Sequence, residues 1–395
     1  MNLPQLRRQI TRYSGPISAL GRSVIALGVV AWIVGARFGW REAMIVAGAC
    51  LVAVLVGAVF TLGRTELRVA TRLVPPRVVV GDRAVAEFTV TNIGQHRMLP
   101  VRLELPIGKA FGAIDVPTLG RGASFEESIV IPTSRRAVIA IGPTRSVRGD
   151  PLGLMRREVK WTDVEELFVH PTYSRLHGVS SGWLRDLDGR PTNDRSPSDV
   201  AFHTLREYVP GDDRRHVHWR TSARLGKLMV RQFIDNRRSH LGIVVDTDPG
   251  NYADADEFEL AVSMAASLGL RAIADGQEIT CVAGSAGVAS HTGQAFLDGL
   301  SRVDLGVPLI DIHETTLRAA SIVNAASVLA IVTGSALALH QVQLAARRFG
   351  PEPTLLCIRA ATTERAGLQR NPRLLALTAD SLDSFTRVMW TVSNS

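Results

Sequence analysis

The sequence predicts an α/β protein in three structural parts: a hairpin of two membrane-spanning helices, a small β-sandwich, and a domain built on a parallel sheet. Three observations predict this arrangement. Two long apolar segments come first, short strand-like runs separated by Gly, Pro and Asn follow, and strand and helix patterns alternate after residue 240. These patterns divide the chain into the membrane hairpin (residues 1–66), the β-sandwich (67–170) and the parallel-sheet domain (241–395). Residues 171–240 are a segment that links the two soluble parts.

Two apolar segments near the N-terminus predict the membrane hairpin. Ala43 to Leu62 is twenty residues without a charge, and a helix of that length spans about 30 Å, the thickness of a hydrocarbon core. The earlier segment Ile17–Ala36 is interrupted only by Arg22. Since an arginine near a helix end can extend its charge to the interface, we expect this span at about Ser23–Phe38. A cleaved signal peptide is the alternative, but no small-residue cleavage site is obvious.

The charge distribution predicts the orientation of the hairpin. The formal net charge of +8 lies wholly in residues 1–77, and the rest of the chain is balanced. Arginines precede and follow the two spans, whereas only Arg37 and Arg41 lie between them. The positive-inside rule therefore predicts a multi-pass protein of the inner (cytoplasmic) membrane, with its soluble parts facing the cytoplasm.

A neutral soluble body argues against nucleic-acid binding. Three scattered cysteines give no disulfide framework.

The two soluble parts differ in periodicity. In Val85–Val90 the apolar residues recur partly at period two, which is typical of a half-buried strand; several such runs predict a β-sandwich acting as a spacer. Leu241–Val245 is a continuous apolar run, as in a strand buried on both faces, and Asp254–Asp275 has helical spacing. Alternation of this kind predicts a parallel sheet covered by helices, with ligands beyond the carboxyl ends of its strands, where Asp246–Gly250 lies. The other expected elements are strands Ile279–Ala283, Val328–Thr333 and Thr354–Ile358, and helices near Gln294–Val303, Glu314–Ala325, Leu337–Phe349 and after Asp380.

A charged segment joins these two parts. Residues 201–240 hold nine basic and four acidic side chains, and Pro210–Asp213 has the composition of a tight turn. We expect arginine forks and carboxylates to pair here, with Trp219 as the apolar anchor of the network. Such a network would join the two soluble parts or offer a surface to a partner. The candidate interaction residues are Arg206, Glu207, Tyr208, Pro210, Gly211, Asp212, Asp213, Arg215, His218, Trp219 and Arg224.

The segment resembles the signature of the family called domain of unknown function 58. Its Leu-Arg-Glu-Tyr, Pro-Gly-Asp-Asp, His-Trp and Ala-Arg elements are all present in Leu205–Arg224, and Gly149–Leu154 is similar to the family's Asp-Pro-Phe-Gly-Leu element. The resemblance covers Leu67 to about Arg359. It implies a von Willebrand A-like α/β domain in bacterial membrane proteins encoded beside MoxR-type AAA+ ATPases, and it implies no established reaction.

The same resemblance raises the question of a metal. A von Willebrand A metal site uses an Asp-x-Ser-x-Ser loop with a distant Thr and Asp, all oxygen ligands for a hard cation. Here both serines are missing from Asp246-x-Asp248-x-Gly250, and Val332–Ser335 supplies no aspartate. Asp246 and Asp248 stay a candidate divalent-cation site, completed by Asp254 or Thr333. The alternative is that these carboxylates cap the next helix. No other cofactor is expected.

Other chemical patterns are weaker. His203, His216 and His218 could form an open zinc site, although a packing role for His218 is favoured. The chain has no GxSxG and no GxxxxGK[ST], so it predicts neither a hydrolase triad nor an ATPase.

The function expected from these features is not enzymatic. The chain is predicted to be a membrane-anchored interaction or scaffold protein in the lipid bilayer, with a MoxR-type ATPase and other membrane proteins as partners. Its predicted role is chaperone-like assembly of envelope or metal-dependent proteins. Two alternatives stay open. One is a divalent-cation-dependent enzyme or adhesion-type metal-binding module at Asp246 and Asp248; the other is a structural component of the cell envelope.

Overall fold

The computed structural model describes residues 17–61, 66–98, 100–176, 200–209, 217–235, 240–307, 309–323, 326–350, 353–371 and 374–393. The chain forms two compact units, Met1–His170 and Pro171–Ser395.

Two long helices open the first unit, α1 (Ala19–Phe38) and α2 (Arg41–Thr61). Both are long and apolar enough to cross a membrane, with mean hydropathies of 1.8 and 2.3 over their best windows. Most of their large apolar side chains are exposed, which is compatible with membrane anchoring. Glycines seven residues apart on α1 let α2 approach closely: an added Cβ at Gly28 would lie 3.0 Å from Cys50 Cβ, and one at Gly35 would lie 2.8 Å from Met44 Cγ.

The described residues of the first unit form ten strands after the helices, so the predicted β-rich part is confirmed. They are β1 (Leu67–Val74), β2 (Arg77–Val79), β3 (Ala84–Asn92), β4 (Val101–Ile107), β5 (Ala110–Val116), β6 (Ser124–Ile131), β7 (Ala137–Ile141), β8 (Arg145–Gly149), β9 (Arg156–Lys160) and β10 (Glu165–His170). One sheet has the order β1-β3-β6, and the other has β2-β10-β7-β4-β8-β9 with β5 paired to β4. Side chains from both sheets, Phe88 and Leu103 among them, share one buried core.

The loop between β8 and β9 is built around Asp150. Its carboxylate accepts hydrogen bonds from the backbone N–H of Leu152 (3.0 Å) and of Met155 (2.6 Å). Burial opposes ionisation, but these backbone donors outweigh it and lower the pKa of Asp150. The loop also meets the start of α1, because Ser18 N donates to Leu154 O at 3.0 Å and Ser18 Oγ donates to Gly153 O at 2.7 Å.

Gly21 is the residue that permits this contact, and replacing it should break it. In Gly21→Ala the new Cβ would lie 2.1 Å from Leu154 O, a backbone atom that cannot turn aside. We expect a loss of about 2 kcal/mol in unfolding free energy, as for overpacked sites, with faster hydrogen exchange at Ser18 and Leu154. The matched control is Gly48→Ala in α2, where nothing lies within 4 Å. Equal exchange in both variants would contradict the contact.

The described residues of the second unit include a two-stranded arm, which is followed along the chain by an α/β layer structure. Antiparallel β11 (Val200–Glu207) and β12 (Met229–Asp235) flank the short helix α3 (Trp219–Leu225). The larger sheet has the order β15-β14-β13-β16-β17-β19-β18. Its strands are β13 (His240–Val245), β14 (Glu278–Ala283), β15 (Ala286–Val288), β16 (Val328–Thr333), β17 (Thr354–Ala360), β18 (Gly367–Asn371) and β19 (Leu374–Ala379).

The five central strands are parallel, and the edge strands β15 and β18 run antiparallel to their neighbours. Helices cover both faces, as predicted: α4, α5 and α8 contribute to the core on one face, and α6 and α7 to the core on the other. The helices are α4 (Ala255–Ala274), α5 (Gly293–Leu300), α6 (Ile312–Ile322), α7 (Leu339–Ala346) and α8 (Leu382–Ser393). Strand order reverses between β13 and β16, so the point where a ligand or partner is expected lies beyond Val245 and Thr333.

Candidate functional site

Asp246 is the centre of the site at the reversal point. It directly follows β13, whose alternate side chains enter the cores on opposite faces of the sheet, and its backbone N–H donates to Val332 O of β16 at 2.9 Å. Asp246 is fully buried. A carboxylate in that position requires several donors, because an unsatisfied buried charge is strongly destabilising.

Both carboxylate oxygens of Asp246 have protein donors. Oδ1 accepts from Asp248 N at 3.0 Å, and Oδ2 accepts from Asn251 Nδ2 and from Thr333 Oγ1, each at 2.7 Å. Its carbonyl oxygen accepts from Tyr252 Oη at 2.7 Å. Burial raises the pKa of Asp246, and these hydrogen bonds partly offset the increase. Asp246 therefore fixes the loop that follows it and ties that loop to the end of β16.

The other two carboxylates of the loop act as caps. Asp248 Oδ1 accepts from Gly250 N at 2.9 Å at the start of the 3₁₀ turn Pro249–Asn251. Asp254 Oδ1 accepts from Glu257 N at 2.7 Å and begins α4. Both contacts satisfy backbone donors that a helix start leaves free. Thr333 and Asp254 were the two residues offered to complete the cation site. Thr333 lies beside Asp246, whereas Asp254 caps the start of α4.

A second buried carboxylate, Glu257, was not singled out from the sequence. Its Oε2 accepts from Ala253 N at 2.7 Å and from Ser335 N at 3.2 Å, and within the described residues its Oε1 has no hydrogen bond. Burial, and then the charges of Asp246 and Glu257, raise the pKa of Tyr252 well above its usual range. The helical pattern contained the signal: Glu257 lies one turn before Ala261, on the face that points to the core.

The loop after β16 (residues 334–336) is hydrogen-bonded to the loop that follows Asp246. Ala336 N donates to Asn251 O at 3.2 Å, and Arg359 Nη2, at the end of β17, donates to Ser335 O at 2.6 Å. Gly334 lies so close to the Asp246 loop that an added Cβ would be 2.3 Å from Asn251 O. The carboxyl edge of the sheet is thus a platform of interlocked loops, which we call the edge platform (residues 246–254 and 333–336).

Two exposed apolar side chains lie in the segment that contacts the edge platform. Gly306 N donates to Thr247 O at 2.8 Å, which places the segment after α5 beside the Asp246 loop. In that segment Val307 is 66% exposed and Leu309 is 73% exposed. Large apolar side chains this exposed, next to a rigid polar framework, are typical of a surface that contacts a partner.

The carboxylates of Asp246 and Asp248 have little capacity left to bind a divalent cation. Among the described residues, no group of three or more His, Cys, Asp or Glu side chains lies close enough to hold a metal ion. The oxygens of Asp246 already accept three hydrogen bonds, and Asp248 Oδ1 accepts one. The arrangement favours the capping alternative, and binding of a cation at Asp246 and Asp248 stays a prediction for titration.

The signature residues are only partly described. Pro210, Gly211, Asp212, Asp213 and Arg215, together with His216, lie outside the described residues, as do the side chains of Arg206 and His203. Glu207 is exposed and pairs with Lys227 (3.4 Å), and Tyr208 N donates to Leu228 O at 2.8 Å.

The expected role of Trp219 was wrong. It was predicted to be the apolar anchor of a charged network, but it begins α3 and is 66% exposed. His218, for which a packing role was favoured, caps α3 by accepting from Thr221 N through Nδ1 at 3.2 Å. A seven-residue helix has too few turns for its periodicity to be recognised in the sequence. Arg224 is exposed in its last turn.

Comparison with known proteins finds a family match for one part of the chain. Residues 204–292 match the family model described as "Protein of unknown function DUF58". The chain is 31% identical over 203 residues to the uncharacterized protein YeaD of Bacillus subtilis, an alignment that covers 48% of each protein. The chain thus spans about half the length of the curated relative it matches.

Among solved structures, a CARDB domain from Pyrococcus furiosus is similar over 26% of this chain and 92% of its own, at 15% identity and a TM-score of 0.21. The ApaA protein of Bordetella pertussis is similar over 26% of this chain and 91% of its own, at 20% identity and a TM-score of 0.17. Likenesses this low support no conclusion about fold or function. Residues 204–292 are thus similar to the family described as protein of unknown function DUF58, and the match covers this part of the chain.

Proposed function

We propose that this chain is a non-enzymatic, membrane-anchored interaction protein whose von Willebrand A-like domain docks a MoxR-type AAA+ ATPase on the cytoplasmic side of a bacterial inner membrane. The parallel strands, the helices on both faces and an aspartate at the carboxyl end of β13 support the von Willebrand A-like assignment. The two apolar helices and the arginine distribution support the anchor and its orientation.

The observation that carries the proposal is the hydrogen bonding of Asp246. An aspartate whose oxygens accept hydrogen bonds from Asp248 N, Asn251 and Thr333 orders a surface and leaves little ligand capacity for a substrate or cation. Together with the exposed Val307 and Leu309, it gives the edge platform the properties of a docking surface: a fixed backbone and an apolar contact patch. In this proposal the ATPase supplies the energy for chaperone-like assembly, and this chain supplies location and contact.

The test is capture of the ATPase from a detergent extract by the full-length tagged chain, with and without nucleotide, and with identification by mass spectrometry. We expect an AAA+ protein to be retained by the wild type and lost, at least about tenfold, in Val307→Ser/Leu309→Ser, because buried apolar contacts dominate such interfaces.

The matched control is Leu317→Ser/Leu344→Ser, which removes two other exposed leucines of the same unit. The control should retain the ATPase. Absence of any AAA+ protein in both nucleotide conditions would contradict the proposal, and equal loss in both double variants would place the contact elsewhere.

A further inference from the structure

The helix α3 presents a mixed apolar and basic surface to solvent. Trp219 and Ala223 lie four residues apart and form one exposed stripe, and Arg220 and Arg224 form the next. Leu225 is 60% exposed and Leu228 is 45% exposed beyond the end of the helix. We call these six residues the arm surface. From residue 214 to 234 the sequence contains six Arg or Lys and no Asp or Glu.

The inner side of α3 is fixed to the arm, so the exposed side chains are held in place. Ser222 is buried, accepts from Met229 N at 2.8 Å and donates to His218 O at 3.1 Å. His218 N donates to Met229 O at 2.8 Å, and Gly226 ends the helix with a φ of +65°. A helix of seven residues, pinned through one face, leaves Trp219 directed away from the contacts that stabilise it.

We propose that the arm surface binds the anionic headgroup region of a lipid bilayer. The proposal rests on the membrane anchoring included in the proposed function, because α1 and α2 keep every copy of the chain at a bilayer. Indole rings favour the membrane interface, and each basic side chain near an anionic leaflet strengthens binding about fivefold. The arm surface has both: the indole of Trp219 with Leu225 and Leu228, and the exposed Arg220 and Arg224.

A protein partner fits this surface less well. Stable protein interfaces bury about 800 Å² on each side, whereas α3 exposes only two short stripes of side chains. A bilayer needs no shape complementarity and accepts a single aromatic ring with flanking cations, as interfacial helices show. Lys227 contributes less charge than its neighbours, because Glu207 lies 3.4 Å from its Nζ.

The experiment compares hydrogen exchange in full-length protein reconstituted into phosphatidylcholine vesicles with and without phosphatidylglycerol. We expect amides of residues 219–228 to exchange at least about tenfold more slowly with the anionic lipid, and this protection to disappear in Arg220→Glu/Arg224→Glu. The matched control is Arg347→Glu/Arg348→Glu, two exposed arginines of the same unit, which should keep the protection. Flotation of every variant with its vesicles reports the anchor separately.

Three outcomes would overturn the lipid proposal. Equal exchange in both lipid mixtures excludes an anionic headgroup contact. Protection that appears only when the ATPase is added assigns the arm surface to the protein partner. Loss of protection in the control as well as in Arg220→Glu/Arg224→Glu would show that the slower exchange depends on the net charge of the protein and not on the arm surface. ATPase capture by Arg220→Glu/Arg224→Glu should be normal, so failure of the docking proposal and failure of the lipid proposal are distinguishable.

Discussion

Replacing Asp246 by alanine is expected to lower the unfolding free energy of the second unit by about 3 kcal/mol, the cost typical of several buried donors that lose their acceptor. Asp248 N, Asn251 Nδ2 and Thr333 Oγ1 would each lose the oxygen to which they donate. Tyr252 would keep its bond to the carbonyl of residue 246, but the loop that positions it would no longer be fixed. Chemical denaturation of the full chain in detergent, followed by a probe in the second unit, measures the change.

Two variants separate this effect from simple loss of a cap or of a charge. Asp254→Ala removes the cap of α4 and should cost about 1 kcal/mol. Asp246→Asn should be milder than Asp246→Ala, because the Thr333 hydroxyl can accept and the Asn251 amide can rotate to present its oxygen. A cost for Asp246→Ala no larger than for Asp254→Ala would contradict the central role of Asp246.

The same variants test the cation alternative. Calorimetric titration of the wild type with Mg²⁺, Mn²⁺ and Ca²⁺ should give no stoichiometric heat, since the carboxylate oxygens of Asp246 are occupied by protein donors. Stoichiometric binding that disappears in Asp246→Asn would instead show that a cation can displace Asn251 or Thr333, and would favour the metal-dependent reading of the edge platform.

Long elements with a clear periodicity were predictable from the sequence. The strand Val328–Thr333 was predicted at its observed bounds, and the helix expected at Asp254–Asp275 spans Ala255–Ala274, with the two aspartates at its caps. A strand buried on both faces and a helix with one apolar face are each dictated by burial, which the sequence records directly. The strands β15, β18 and β19 were not predicted. Two of them, β15 and β18, are short edge strands that are partly exposed and lack a continuous apolar run.

The location of the site and one partner of Asp246 were predictable from the sequence. Strand alternation placed Asp246 at the carboxyl edge of the sheet, and Thr333, 87 residues away, was named as a candidate partner. The contacts of Asp246 with Asp248 N and Asn251 Nδ2 were not predicted, because they depend on the conformation of the loop. Glu257 was not singled out from the sequence, because a glutamate in a helix is usually exposed to solvent. Trp219 was misassigned for the opposite reason: an aromatic residue is usually buried, and only the fold shows that this one is not.

Gly334→Ala should damage the edge platform about as much as loss of Asp246. The added methyl would lie 2.3 Å from Asn251 O, 2.5 Å from Tyr252 Cδ1 and 2.8 Å from Tyr252 Cα. Two of these atoms belong to the backbone, so relief requires that one loop move away from the other. That movement would stretch the bonds from Ala336 N to Asn251 O and from Thr333 Oγ1 to Asp246. We expect a loss of about 3 kcal/mol, at the upper end for overpacked sites.

The matched control is Gly287→Ala, because an added Cβ at Gly287 in β15 would meet nothing within 4 Å. Thermal unfolding in detergent should separate the two variants, and only Gly334→Ala should lose ATPase capture at temperatures where it is still folded. If Gly334→Ala unfolds like the control, the two loops can move apart freely and the platform is not rigid. If it is destabilised yet still captures the ATPase, the partner contacts another surface. Rigidity and docking are therefore tested by one substitution with two readouts, and each can fail without the other.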